Sequence, residues 1–422
     1  MTPPFKPALI ALALASGLAN AADDDDALDL KSAEPAPAAA TQAATGPRLT
    51  LELVALQARG QALGSDSGHR AAVDLRWTGK LAGPWRFGLS NRLDDIHPVL
   101  PGQRSTRHHL REAYLGWQSE SGQRSVDLGR INQRHGPAYS YNPTDFFRRG
   151  ATRSVVTADP IALRENRTGT FMVRASQLWD GGGASLAWAP QLTRSGRENS
   201  TFSLDLDGTN ATDRVVLTVG AKASDRWSGE ALWMVEEGRS PRLGLNMTGL
   251  VTDAAVVHAE WSMARSPRLL DTALGGPAPR LRHHQATLGL TYNLPGGLSI
   301  TAEAAYNGAG LTRAGWQQLF AQGPVPVAAL FSTAQADQEL AARRAWMLYA
   351  TQKGVLLKQL DVTAFVRQNA VDNSRVVWAE LRYHWPRFDL ALQWQRTAGA
   401  PSTEYGAYPY RQVTQVIGFV YF

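Results

Sequence analysis

The 422-residue sequence contains no cysteine. It therefore has no disulfide, no thiolate metal site, no lipid-attachment cysteine and no C-x-x-C-H haem motif. Lysine is scarce: Lys6, Lys31, Lys80, Lys222, Lys353 and Lys358 are the only ones, and the remaining cations are arginines. Long apolar runs are missing as well. Ala8 to Leu18 falls short of the roughly 20 apolar residues that a membrane-crossing helix requires, and no other stretch approaches that length. The formal net charge of +6 is modest. No basic stripe with interleaved aromatics accompanies it, so nucleic acid is not an expected partner.

The beginning of the chain reads as a targeting segment. Lys6 supplies a basic n-region, Ala8 to Leu18 an apolar core, and Ala19-Asn20-Ala21 an A-x-A cleavage site. This predicts a signal peptide over residues 1–21, cleaved after Ala21, and an exported protein. Residues 22–48 hold Asp23 to Asp26 and an Ala/Pro/Thr tract. Such composition cannot bury enough apolar surface to order itself, which predicts a disordered periplasmic segment.

From residue 49 onward the pattern has period two. Val257, Ala259, Trp261 and Met263 alternate with His258, Glu260 and Ser262; Leu298, Ile300, Ala302 and Ala304 alternate with Ser299, Thr301 and Glu303. Leu360, Val362, Ala364 and Val366 alternate with Asp361, Thr363 and Arg367. Strands of about ten residues with one greasy and one polar face fit a transmembrane barrel with a wet lumen. The thirteen tryptophans suit the aromatic belts of such a barrel.

The links between these segments alternate in length. Short ones fall near residues 79–83, 119–123, 180–183, 224–226, 251–253, 293–297, 354–358 and 386–387. Longer ones lie near 60–69, 94–108, 132–167, 191–213, 264–280, 308–343 and 396–409, while 237–241 and 370–374 are short links on the same side. Short periplasmic turns and long external loops give this rhythm. The two sides agree from both ends of the chain only if Thr201 to Asp207 belongs to a loop. The expected fold is then an all-β transmembrane antiparallel β-barrel of about 18 strands, 16 being possible, over residues 49–422.

The chain stops on Val416-Ile417-Gly418-Phe419-Val420-Tyr421-Phe422. This ending resembles the C-terminal assembly signal of bacterial outer-membrane barrels, which marks Gly418, Val420 and Phe422 as recognition residues for the assembly machinery. A second likeness lies in Arg111-Glu112-Ala113-Tyr114-Leu115-Gly116-Trp117, Leu128-Gly129-Arg130 and Asn142-Pro143-Thr144-Asp145. These windows resemble the porin-like and alginate-export-like barrels of Gram-negative outer membranes, with His135-Gly136 where those carry Trp-Gly. The resemblance implies passive transport or export through an arginine-rich lumen in the outer membrane; no cofactor is expected.

Segment 132–166 carries aromatic residues and arginines uncommon in a disordered loop, and the link after the fifth strand folds into the barrel in porins. We therefore expect it to fold inward as a constriction. Its solute-binding residues would be Arg130, Arg134, Tyr139, Tyr141, Asp145, Arg148, Arg149 and Arg153, with guanidinium groups attracting carboxylate, phosphate or sulfate. Inward positions on the wall are Arg76, Arg86, Arg92 and Arg174 in the first half. In the second half they are Glu260, Glu303, Asp361, Glu380 and Arg382. Arginines on one wall and carboxylates on the other would set a field across the lumen; the alternative is that inward charges simply pair.

Three function classes remain open at this level. The first is a channel, monomeric in preference to trimeric, for small anionic or polar solutes or an acidic polysaccharide, bathed in outer-membrane lipid. The second is a scaffold barrel that docks a periplasmic or export-machinery partner. The third is a hydrolase using Ser105 with His108 and His109, the His283-His284 pair, or His258 beside Glu260. No G-x-S-x-G elbow accompanies these histidines, and neighbouring residues on a strand point to opposite faces, so no enzyme and no metal site is expected. A receptor with a plug domain and 22 strands needs a longer chain.

Overall fold

Period-two sequence gives period-two structure throughout. The computed structural model describes residues 46–60, 64–98, 104–193, 202–275 and 277–422. The expected signal peptide and residues 22–45 of the acidic segment lie outside the described residues. The chain forms β1 (Gly46–Gly60), β2 (Ser65–Lys80), β3 (Trp85–His97), β4 (Thr106–Gln118), β5 (Arg124–Ile131) and β6 (Thr170–Trp179). Then follow β7 (Gly182–Ala189), β8 (Arg214–Ser224), β9 (Trp227–Glu236), β10 (Arg242–Thr252), β11 (Ala255–Ser266) and β12 (Leu281–Asn293). Last come β13 (Leu298–Asn307), β14 (Arg344–Gln352), β15 (Leu360–Asn369), β16 (Arg375–Trp385), β17 (Phe388–Ala398) and β18 (Tyr410–Tyr421).

Each strand pairs antiparallel with its sequence neighbours, and β1 also pairs with β18. The result is a closed 18-stranded antiparallel barrel. Closure runs from Thr50 opposite Tyr421 to Arg59 opposite Gln412, and the Phe422 N–H donates to the Leu49 carbonyl at 3.0 Å. No backbone edge is left unpaired, the condition for a sheet to stand alone in an apolar medium.

The link rhythm of the sequence holds, and Phe202 to Asp207, the described part of the stretch from Thr201, does belong to a loop, its last two residues opening a single helical turn, α2 below. Several boundaries move, among them that of the link near 94–108, where β3 runs to His97 and β4 starts at Thr106. Gly46, Pro47 and Arg48 are part of β1 rather than of a disordered segment, because β2 is long enough to pair them with Thr78, Trp77 and Arg76. β1 and β2 reach further into the link near 60–69 than expected, since Arg59 still pairs with Ser65, and Gly64, at φ +73°, precedes β2.

The longer links cluster at one end, called the loop end below; the short ones define the turn end. Among the described residues five short helices occur there or in the interior: α1 (Pro160–Glu165), α2 (Leu206–Thr209), α3 (Leu269–Leu274), α4 (Arg313–Ala321) and α5 (Pro324–Ala336). None is long and apolar enough to cross a membrane. Around Trp316, Leu319 and Leu330, α3, α4 and α5 bury a small core of their own at the loop end.

Outward positions are apolar and exposed, for example Leu53, Leu288, Leu348, Leu392 and Val416. Inward positions on β1 to β4 carry a dense ionic cluster. Arg92, fully buried, meets Glu52 at 3.0 Å, Asp94 at 3.0 Å and Asp74 at 3.4 Å. Arg70 bonds Glu52, and Arg111 bonds Asp74. One guanidinium fork thus joins carboxylates from three strands. Replacing Arg92 by Ala leaves those carboxylates facing one another in a buried site, and should lower the unfolding free energy of the folded barrel by about 3–5 kcal/mol. Arg92→Lys, which cannot reach all three at once, should recover only part of that loss in the same denaturation measurement.

Candidate functional site in the barrel interior

Residues 132–169, between β5 and β6, lie against inward-facing side chains on the opposite wall. Asn142-Pro143-Thr144-Asp145 makes the turn: the Asp145 N–H donates to the Asn142 carbonyl at 3.2 Å, with Pro143 presetting the backbone. Glu260 of β11 receives this turn. Its carboxylate accepts from the Ala138 N–H at 2.7 Å, Asn142 Nδ2 at 3.0 Å and Thr144 Oγ1 at 2.8 Å. Gly136, at φ +85°, passes so close to that carboxylate that a Cβ would collide with it. His135-Gly136 is thereby explained by the approach of Glu260.

Glu303 of β13 does the same for the next residues, accepting from the Tyr139 and Ser140 N–H groups at 2.7 Å each and from His258 Nε2 at 2.8 Å. On the other side Phe146 and Phe147 are buried against inward-facing Met172, Ala187, Val216, Leu232 and Met234 of β6 to β9. Each such ring buried contributes on the order of 2 kcal/mol. Polar anchors on β11 and β13 and an apolar anchor on β6 to β9 thus hold the segment across the interior. The loop-end helices tie onto it: Arg149 Nε meets Asp337 at 2.9 Å, the Gly150 N–H donates to the Ala336 carbonyl at 2.9 Å, and Gln338 donates to the Ala151 carbonyl at 2.9 Å.

The expected constriction residues separate into three groups. Arg130 is not among them in space. Strand parity turns it to the outer face, where it donates to the Leu204 carbonyl, because Asp127 and Ile131 take the inward positions of β5. Six are in the interior but already partnered. Arg134 meets Glu165 at 3.4 Å; the Tyr139 ring packs against Tyr349; Tyr141 donates to Glu339 at 2.5 Å. Asp145 meets Arg167 at 2.9 Å; Arg148 meets Glu339 at 2.7 Å; Arg149 meets Glu236 at 2.9 Å as well as Asp337. Arg134, Arg148 and Arg149 are therefore not free to take a solute. Carboxylates from the chain around Asp337 and Glu339, remote in sequence, reach down and compensate two of them.

Arg153 stands apart. It forms no side-chain hydrogen bond or ion pair, and its Nε is buried without an acceptor. Arg367 of β15 is in the same condition and within electrostatic reach. Burial first, then the Arg367 cation, hold Arg153 below its ordinary value, at about 10. Beside them Tyr349, Phe365, Trp378 and Tyr405 form an inward-facing aromatic wall, with Tyr139 and Tyr408 packed on it. Glu404, in the link between β17 and β18, accepts from Asn369 at 2.9 Å. Burial pushes its carboxyl up to about 7, with Arg367 opposing and Asp372 adding to the rise. Parity placed Arg367 inward. Its want of a partner, and the neighbourhood of Glu404 and Tyr408, depend on loop placement and left no mark in the sequence.

The expected wall residues all face inward; Glu260 and Glu303 take hydrogen bonds from the crossing segment and His258, and the other charges pair locally instead of separating across the lumen. Arg86 and Arg174 share Asp127 at 2.6 Å each; Arg76 bonds Asn166 and lies 3.6 Å from Asp74. Asp361 meets His384 at 3.1 Å, and Arg382 meets Glu380 at 2.9 Å. An unpaired charge in a crowded interior costs more than a distant opposite charge returns, so a wall-to-wall field does not develop from these groups. The histidines do not converge on a nucleophile. His108 lies against Phe202 on the outer side, His109 faces inward, and His258 bonds Glu303 rather than Glu260. Among the described residues no serine hydroxyl bonds a histidine and no cluster could hold a metal ion.

No family model matches this chain, and no curated protein does. Solved structures match it in shape. OccAB1 of Acinetobacter baumannii aligns with a TM-score of 0.56 at 9% identity, over 89% of this chain and 96% of that one. OccK8 (OprE) of Pseudomonas aeruginosa aligns with a TM-score of 0.54 at 8% identity, over 89% and 97%. The outer membrane protein OpdK of Pseudomonas aeruginosa, solved with vanillate, gives 0.54 at 8%, over 89% and 98%. The barrel shares its fold with these proteins. Such low identity carries the backbone plan and no residue-level correspondence.

Glu260 is the test of how the interior segment is held. Glu260→Ala removes the acceptor for Ala138, Asn142 and Thr144 while leaving the strands intact. Backbone hydrogen exchange over residues 136–146 should rise by about a hundredfold, the equivalent of about 3 kcal/mol of lost local stability. Exchange in β15 to β18 should stay unchanged.

Proposed function

We propose that the protein is an outer-membrane channel for small anionic solutes, in which Arg153 and Arg367 are the selecting cations. The observation that carries this reading is their state: two guanidinium groups inside a closed barrel, near each other, neither of them in an ion pair, with Glu404 alone of the loop carboxylates bearing on Arg367. Half-buried cations without ion pairs are costly. They are retained where an anion is to be met, since a carboxylate can complete both forks. Several further features support a membrane location. The outward face is apolar, every backbone edge is paired, and the backbone plan is that of barrels solved as outer-membrane proteins. On this reading the turn end faces the periplasm, the loop end faces outward, and Gly418, Val420 and Phe422 serve assembly.

The aromatic wall narrows the solute class. Phe365, Trp378 and Tyr405 lie beside the two arginines, which favours a small aromatic carboxylate, as the vanillate in OpdK is for that protein. Passage of an acidic polysaccharide finds less support, because the other inward arginines along the wall are mostly engaged by carboxylates. No reaction is assigned to the barrel.

In planar bilayers with a salt gradient, the folded protein should conduct with anion preference. Replacing Arg153 and Arg367 together by glutamate should shift the anion-to-cation permeability ratio at least fivefold toward cations, about 1 kcal/mol in the free energy of an ion at that level. Arg148→Gln, which removes a cation already compensated by Glu339, should leave the ratio close to wild type. Equal effects from both substitutions would sink the assignment.

The Glu404 carboxyl is mostly neutral at pH 6 and mostly ionised at pH 8, since burial has raised it to about 7. Each proton lost adds a negative charge beside Arg367, so anion preference should fall as pH rises through that window. Glu404→Gln should flatten the dependence, measured as reversal potential against pH.

A further inference from the structure

The outer face of the barrel carries a charge pattern that solute passage does not use. On the contiguous wall from β11 through β18 to β1, outward positions are read directly from the register. At the loop-end tips of these strands they are Arg265, Arg282, Arg344, Arg375, Arg396 and Arg59. All are exposed. None forms an ion pair or side-chain hydrogen bond. No other arginine or lysine, and no carboxylate, occupies an outward position on those strands. At the turn end the same faces finish in Tyr292, Tyr383, Trp385 and Phe388. The outer wall is therefore apolar and aromatic along its length, and cationic at one end only.

The placement is unfavourable for the protein alone. Arg265 sits directly opposite Arg282, and Arg396 and Arg59 flank Gln412 in one cross-strand row. Like charges facing each other across a strand pair repel, and no acidic residue on this face relieves them. Just inside the arginines lie outward Trp261, Trp346 and Trp394, then Leu288, Leu348 and Leu392. An amphiphile with acyl chains and a phosphorylated headgroup matches this order from belt to rim. Its chains would cover the leucines, and its phosphates would enter the guanidinium pairs by bidentate contacts.

We infer that this half of the rim is a docking collar for a phosphorylated glycolipid of the outer leaflet, with the Arg265–Arg282 and Arg59–Arg396 pairs as its phosphate sites. The inference rests on the outer-membrane reading above, with the loop end outward.

The test uses the full-length barrel folded in detergent. Diphosphorylated lipid A and the same lipid stripped of phosphate are titrated into it, and binding is followed by native mass spectrometry and by the thermal shift. The phosphorylated lipid should bind at least tenfold tighter and raise the melting temperature. The fourfold variant R59Q/R265Q/R282Q/R396Q should lose that difference. Its heat-modifiable gel mobility should persist, reporting that the barrel is intact, and its ion selectivity should match wild type. Equal binding of the two lipids, or an unaltered fourfold variant, overturns the collar. Stabilisation by inorganic phosphate alone as large as by the lipid also overturns it, in favour of a soluble-anion site. A chain with no detergent-dependent folded form would overturn the membrane reading and the collar together. A folded barrel indifferent to lipid phosphate overturns the collar alone.

Discussion

Everything in this molecule follows from the pairing of its first strand with its last. A sheet of this length left open would present two rows of unmet backbone donors and acceptors. Joining β1 to β18 satisfies both rows at once and fixes the register from Thr50 to Arg59. Closure also creates an inside and an outside, and the pleat then sends alternate residues to each. The polar face has to be accommodated within a bounded volume. That is why Arg92 is wedged among Glu52, Asp74 and Asp94, and why Arg86 and Arg174 converge on Asp127. A one-residue slip at the seam would exchange the two faces and strand those ions on the outside.

The sequence was most legible where the physics is local. Alternation, turn residues and the parity of link lengths led to an 18-stranded plan, because each depends on neighbours along the chain. The inward direction of Arg76, Glu260, Glu303 and Arg382 followed from the same rule. Arg130 is the exception: grouped by sequence with the segment that follows β5, it is turned outward by the same rule, since Asp127 and Ile131 take the inward positions. The rule was silent about apolar residues that face inward. Ile417, Phe419, Phe365 and Trp378 look like belt residues in sequence, yet they are buried because interior and loop-end residues such as Val156, Tyr405 and Tyr408 pack on them.

Charge compensation in the interior was the least readable property. Arg148 and Arg149 look like free cations in a basic segment. Their partners, Glu339, Glu236 and Asp337, are about 90 to 190 residues away along the chain. By contrast Arg153 and Arg367 look no different in sequence from their neighbours, and only the finished packing leaves them without acceptors. The distinction between a structural arginine and one available to a solute is thus a property of what remains after all other pairs have formed.

Arg149, Gly150 and Ala151 meet Asp337, Ala336 and Gln338 residue by residue, so the end of α5 is stitched to the strip of chain lying across the barrel. Those stitches make the helical pair and the crossing strip one mechanical body. A ligand, antibody or neighbouring molecule that pulls the helices from the rim must either tear three adjacent bonds or draw the strip upward with them. Force applied at the surface therefore reaches the narrow interior without passing through a single strand of the wall.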